Sequence, residues 1–240
     1  MNISTILLVI VILVFGYYIY VTFFKPKGKQ SLFESRKANK ALRLNDVYPS
    51  EVRSSYAHAF WILVNTMDNN KDAPNRNILI KSDGNNATEF QVYLEKFSNN
   101  LVIETTTKSQ SEETEETETM TCKVTNIPLQ KWVSVVLSVQ DRALDVYIDG
   151  KLVRTCVSKN ELNLISKPVL DVTTYKNGTA LGDGGFSGYI NKLEYYNSAL
   201  TPNEAYSIYR KGPGSSKFNM NYNVKLSLLK NDDELKSYQF

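Results

Sequence analysis

The chain has 240 residues, room for one large domain or two small ones, with 42% hydrophobic and 22% charged residues. Those shares exclude a wholly disordered chain, and fifteen Tyr and ten Phe among many Val, Ile and Thr favour strands. The net charge of +3 is unevenly placed: seven basic residues and one acid between Lys25 and Arg43 give +6, leaving −3 for the rest. A basic stretch beside an otherwise acidic body excludes the even basic surface of a nucleic-acid binder and suggests a juxtamembrane collar.

The collar follows an apolar run. Residues 6–24, ILLVIVILVFGYYIYVTFF, carry no charge, and at about 1.5 Å per residue they would span roughly 28 Å of bilayer. A cleaved signal would have a basic leader and a small-residue cleavage site. Here the leader is MNIST, and the run ends in Tyr17, Tyr18, Tyr20, Phe23 and Phe24, like an interfacial aromatic belt. Residues 1–24 are therefore predicted to be a retained single-span anchor. With Lys and Arg only on its C-terminal side, the positive-inside rule sets the N-terminus lumenal or outside and the body cytoplasmic. Sequons at Asn2, Asn86 and Asn177 do not outweigh that bias.

Residues 25–50 are predicted to be a basic linker near the headgroups, with 31–45 able to form a short amphipathic helix. Strands are expected at 57–65, 78–81, 89–96 and 101–107, with a loop at 68–76 and a turn at 83–86. The acidic run 109–119 (SQSEETEETET) is predicted to be an exposed loop. The clearest hairpin pairs 144–148 with 152–157 across Asp149-Gly150, a type I′ signal, after a β-branched strand at 132–139. Further strands are expected at 168–174, 188–196 and 223–229. One helix is expected at 202–210, with Thr201 as N-cap and Pro202 at N1. Short strands with little helix indicate a two-sheet antiparallel sandwich over 51–213, followed by an extension over 214–240.

Three ordered blocks carry a family resemblance. They are Phe60-Trp61 on an early strand, Trp132 through Val153 with its Asp149-Gly150-Lys151 turn, and Phe186-Ser187-Gly188 through Leu200-Thr201. Together they resemble the laminin G-like, or concanavalin A-like lectin/glucanase, superfamily. The resemblance implies an all-β jelly-roll sandwich in which Trp61, Trp132 and Phe186 fill the interior, Asp149 and Gly150 make a turn, and Gly188 permits close packing. Such folds host sugar binders, protein binders, glycosidases and architectural modules.

Catalytic chemistry finds little support. The glycosidase members use paired carboxylates on one strand, and the only clustered acids, Glu112, Glu113, Glu115, Glu116 and Glu118, sit in a sequence too polar for a rigid strand. The sole histidine, His58, has no nucleophile or acid at triad spacing and reads as a hydrogen-bonded strand residue. No enzyme is expected, and no zinc site. Calcium, which some laminin G-like domains bind at the rim, has one weak ligand candidate in Asp183, with Asp68, Asp72 and Asp83 in other loops. Cys122 and Cys156 fall on strands flanking the Trp132 hairpin, within disulfide reach if those strands are neighbours. In a cytosol they would be buried thiols; oxidised, they would mark a lumenal domain or a virus with its own thiol oxidation.

Two functions compete. One is a non-enzymatic, membrane-anchored structural module docking to a protein layer. The N-terminal anchor, Tyr209–Pro213 and the Asn/Lys-rich style resemble proteins of large DNA viruses with an internal membrane, which implies a virion membrane or minor capsid component facing the capsid. The alternative is a carbohydrate-binding, lectin-like module, with or without calcium, for which Tyr93 and Tyr175 are candidate platform residues.

Overall fold

The structure is a computed structural model that describes residues 3–19, 28–48, 54–66, 75–85, 87–108, 117–177, 180–214, 225–230 and 233–239. It opens with α1 (Ile3–Ile19), followed by β1 (Lys29–Lys37), β2 (Leu42–Leu44), β3 (Ser55–Thr66), β4 (Arg76–Ser82), β5 (Thr88–Leu94) and β6 (Leu101–Lys108). Next come β7 (Thr117–Val124), β8 (Trp132–Gln140), β9 (Ala143–Ile148), β10 (Lys151–Val157), β11 (Val169–Val172), β12 (Thr174–Asn177) and β13 (Ala180–Asp183). The last elements are β14 (Ser187–Tyr196), α2 (Pro202–Arg210), β15 (Lys225–Lys230) and β16 (Asp233–Gln239).

Two six-stranded antiparallel sheets face each other in a jelly-roll-like sandwich. The first has the order β1-β14-β3-β8-β9-β10 and the second β2-β11-β4-β5-β6-β7. Alternation along β3 shows how the faces are assigned. Tyr56, Phe60, Ile62 and Val64 enter the core between the sheets, while Ala57 and Ala59 point the other way. On that outer side α2 is docked, with Ala205 packed against Ala57, Ala59, Val136, Tyr147, Tyr196 and Leu200. Small residues on β3 let the helix approach closely. Its start carries a full capping box between Thr201 and Glu204. The Asp149-Gly150 turn joins β9 to β10 with φ of 48° and 75°, the left-handed pair of a type I′ hairpin.

Among the described residues no helix is long and apolar enough to cross a membrane. The described helix ends at Ile19, and 20–27 of the expected span and collar lie outside the described residues. The linker expected over 25–50 is replaced by structure from Lys29 onward. β1 pairs with β14, and β2 with β11. A bulge between Ser31 and Phe33 allows both Leu32 and Phe33 to pack on the core, breaking the alternation that would have marked a strand. The charges around them suit an edge strand, which like charges protect from further pairing. The acidic run also ends early, because 117–119 begin β7; 109–116 lie outside the described residues. Beyond α2, β15 and β16 form a two-stranded sheet of their own.

Two bulges in the β4–β5 pair turn polar groups inward. Lys81 and Glu89 meet in the core, Nζ to Oε1 at 2.5 Å, and Tyr56 Oη donates to the same Oε1 at 3.0 Å. The backbone N–H of Ile165 donates to Oε2 at 3.1 Å. Lys81 Nζ also lies 4.1 Å from the centre of the Tyr56 ring and 4.6 Å from that of Tyr48. His58 stands beside this pair, with Nε2 2.9 Å from Tyr48 Oη. Burial, then the charge of Lys81, pushes the His58 pKa down to about 3. The folded chain keeps this imidazole neutral while the unfolded chain protonates it near pH 6.5, so its contribution is intact above that pH and is lost as pH falls. Taking the protein from pH 7 to pH 5 is expected to cost about 2 kcal/mol from this group. Urea unfolding of wild type and His58→Gln at both pH values checks this; an identical pH slope in the two would contradict it.

Cys122 and Cys156 are joined, with Cα atoms 5.9 Å apart. They sit on β7 and β10, the outermost strands of the second and first sheets on one side. The bond therefore ties the two sheets together where no backbone hydrogen bond can. For a closed loop of this length, replacing both cysteines with serine is expected to lower stability by about 4 kcal/mol. Equal unfolding midpoints for the double variant and wild type, each without reductant, would contradict that.

Candidate ligand-binding face

The outer face of the first sheet is only partly covered by α2. Where the helix ends, a cross-strand row is formed by Asn191 of β14, Trp61 of β3 and Ser134 of β8, which are direct register partners. They share the outer side with Ala59 and Val136, opposite to the core-facing Ile190, Ile62, Val133 and Val135. The next row along is Tyr189, Leu63 and Trp132. Tyr189 is exposed, and Trp132 is half-buried.

Both tryptophans thus point away from the sandwich interior, which corrects the expectation that they fill it. The reason is register: their neighbours Phe60, Ile62 and Val133 take the inward positions, and a period of two leaves Trp61 and Trp132 outside. Phe186 does enter the core, at 2% exposure. At Gly188 a Cβ would stand 1.9 Å from the Leu63 carbonyl oxygen, so only glycine allows β14 this close to β3.

The Trp61 indole is covered by Tyr209 of α2, stacked at a 5.9 Å centroid distance and 20° between planes. Tyr206 lies 6.2 Å beyond Tyr209. Asn191 Nδ2 donates to the Pro213 carbonyl at 3.3 Å, and Lys192 Nζ to the Gly212 carbonyl at 3.0 Å, fixing the segment after the helix. Three polar atoms of the row are buried and have no partner among the described residues: Trp61 Nε1, Asn191 Oδ1 and Ser134 Oγ. Buried polar atoms nearly always find a partner, so three without one in a single row require explanation.

The outer face of the second sheet is different. Arg43 grips Asp171 with two bonds of 2.7 and 2.9 Å. Gln91 Nε2 donates to Asn77 Oδ1 at 2.8 Å, Asn77 Nδ2 to the Thr174 carbonyl at 2.8 Å, and Tyr93 Oη to Glu104 Oε1 at 2.8 Å. These side chains already satisfy one another. Burial, with the bond to Glu104, holds the Tyr93 pKa well above the ordinary tyrosine range, and the ring is only 8% exposed. As a sugar platform Tyr93 is therefore poorly placed, and the side chain of Tyr175 lies outside those described.

The other candidates are scattered. Asp183 ends β13, where only the backbone is described. Asp83 Oδ1 closes its own turn by accepting from the N–H of Asn85 and Ala87. Asp68 and Asp72 lie outside the described residues, and among the described residues no three His, Cys, Asp or Glu form a metal-sized group. His58 is a core residue whose Nδ1 lacks a partner, so it is only half satisfied. A cleft of about 250 Å³ near Ser54 is lined by Asp141 and Glu161, both exposed, with Asp141 held by Ser54 Oγ at 2.7 Å.

Two antiparallel six-stranded sheets with a short helix on one outer face define a lectin-type jelly-roll. The chain belongs to the concanavalin A-like lectin/glucanases superfamily, whose laminin G-type model matches residues 36–205. No curated protein matches it in sequence. In fold it is similar to the Ruminococcus gnavus IT-sialidase CBM40 bound to α2,3-sialyllactose, with TM-score 0.53 and 11% identity, over 75% of this chain and 97% of that one. It is also similar to the botulinum neurotoxin serotype D ligand-binding domain in complex with N-acetylneuraminic acid, with TM-score 0.51 and 12% identity, over 78% of this chain and 45% of that one. A third likeness is to the binding domain of botulinum neurotoxin DC in complex with rat synaptotagmin II, with TM-score 0.50 and 15% identity, over 77% and 47%. The chain thus spans less than half the length of the two toxin structures.

Proposed function

We propose that this protein is a non-enzymatic carbohydrate-binding module, held at a membrane by its N-terminal helix, with the tryptophan-bearing outer face of the first sheet as its sugar platform. One observation carries the reading: both tryptophans lie outside the sandwich, beside buried polar atoms that nothing in the described structure satisfies. Aromatic faces for a sugar's C–H surface, with polar groups beside them, are the chemistry of a ligand site. Sugar ligands in two structures of similar fold agree with it.

The disulfide between Cys122 and Cys156 supports, in this reading, an oxidising compartment for the body. The basic collar argues for the cytoplasm, yet much of it has work inside the domain. Lys29 pairs with Glu194 at 2.6 Å and Arg43 with Asp171, while Arg36 donates to the Lys40 and Ala41 carbonyls. Charges needed by the fold are weaker topological signals than charges in a free linker.

A second reading, docking to a protein layer such as a capsid shell, is favoured by the open edge at β10. There Leu152, Val153 and Val157 are 50%, 47% and 67% exposed on a strand that, among the described residues, has a strand partner on one side alone. The two readings separate by experiment. A glycan array with the full chain in detergent, run with and without calcium, is expected to show binding that Trp132→Ala lowers about tenfold. No glycan bound in either condition would reject the sugar reading. A glycosylation reporter fused to the C-terminus is expected to be modified; an unmodified reporter would place the body in the cytoplasm.

A further inference from the structure

The three unmatched atoms at the end of α2 have a specific donor and acceptor pattern. Trp61 Nε1 can only donate. Asn191 Oδ1 can only accept, and its orientation is fixed because Nδ2 already donates to Pro213. Ser134 Oγ can do either. Each residue is almost wholly buried, at 4%, 1% and 1% exposure. The row contains no cation. Lys192, next to Asn191 on β14, gives its Nζ to the Gly212 carbonyl at 3.0 Å, and Lys131, just before β8, lies 3.6 Å from Asp149.

Resting on the sugar-binding reading, we propose that this row is a subsite for one neutral sugar hydroxyl, so that the protein selects neutral over acidic glycans. A hydroxyl can give its proton to Asn191 Oδ1 and accept from Trp61 Nε1 or Ser134 Oγ, the two donors that flank each other across β3 and β8. A carboxylate or sulfate oxygen has no proton to give, and it would face Asn191 Oδ1 with two acceptors in contact and no cation to offset them. An ammonium group fails in the opposite way against Trp61. Tyr209, 37% exposed and stacked on the indole, stands between the row and solvent. It must turn aside for a sugar to enter, and its ring then offers the second aromatic wall.

The test uses the full chain in detergent, an array of neutral glycans, and the same glycans capped with sialic acid or sulfate. Two variants accompany it. Each deletes one unmatched atom: Ser134→Ala keeps the packing, so its unfolding midpoint should hold or rise, whereas Trp61→Phe also removes ring volume beneath Tyr209 and its midpoint should fall somewhat. The expected result is binding to neutral glycans, lost on capping, and weakened roughly three- to tenfold by either variant. Binding only to capped glycans would overturn the subsite while leaving the sugar reading intact. Neutral binding unaffected by both variants would place the sugar elsewhere, with an ordered water in the row. Silence toward every glycan would remove the sugar reading and the subsite together.

Discussion

The period-two alternation of β3 is the constraint on which the rest of the molecule depends. This strand lies between β14 and β8 in the first sheet, and its inward positions are filled by Tyr56, His58, Phe60, Ile62 and Val64. A slip of one residue would expel that set and bury Trp61 and Leu63 instead. With the register fixed, Ala57 and Ala59 leave a shallow outer surface where α2 can seat, and Trp61 is delivered beside the helix end. The candidate site is thus a by-product of how the core is packed.

The second sheet follows a different logic. Its bulges sacrifice regular pairing to bring Lys81 and Glu89 into the core, where Tyr56, Tyr48 and His58 surround them. Such a pair adds little net stability, but removing one partner would strand a buried charge. Its position ties β4 and β5 to β3 of the facing sheet, and the disulfide does the same between β7 and β10. Polar and covalent links across the sandwich therefore supplement a core that is otherwise apolar.

Much of this was legible in the sequence. The Asp149-Gly150 turn announced its hairpin, Thr201-Pro202 announced α2, and three ordered blocks were enough for the superfamily. What stayed hidden has identifiable causes. β1 was concealed because its bulge broke the alternation and its charges resembled a linker. The inward turn of Lys81 and Glu89 depends on bulges, which leave no mark on the local pattern. The direction of the tryptophans misled for another reason: large aromatics suggest core, whereas facing depends on parity with neighbouring residues across three strands. Reading Phe60, Ile62 and Val64 as the buried set would have placed Trp61 outside from the sequence alone. The unmatched atoms of Asn191 and Ser134 had no such signal, since they share a row only after three distant segments pair.

The most direct measurement exploits the fact that the chain has only two tryptophans, both on the proposed face. Intrinsic fluorescence of the full chain would be followed while a neutral oligosaccharide is titrated and binding is measured in parallel by calorimetry. A sugar seated on this face must change the indole emission with the same saturation curve as the heat, and Trp132→Phe should remove part of the change. Saturable heat with no change in emission would show that the sugar binds elsewhere on the molecule.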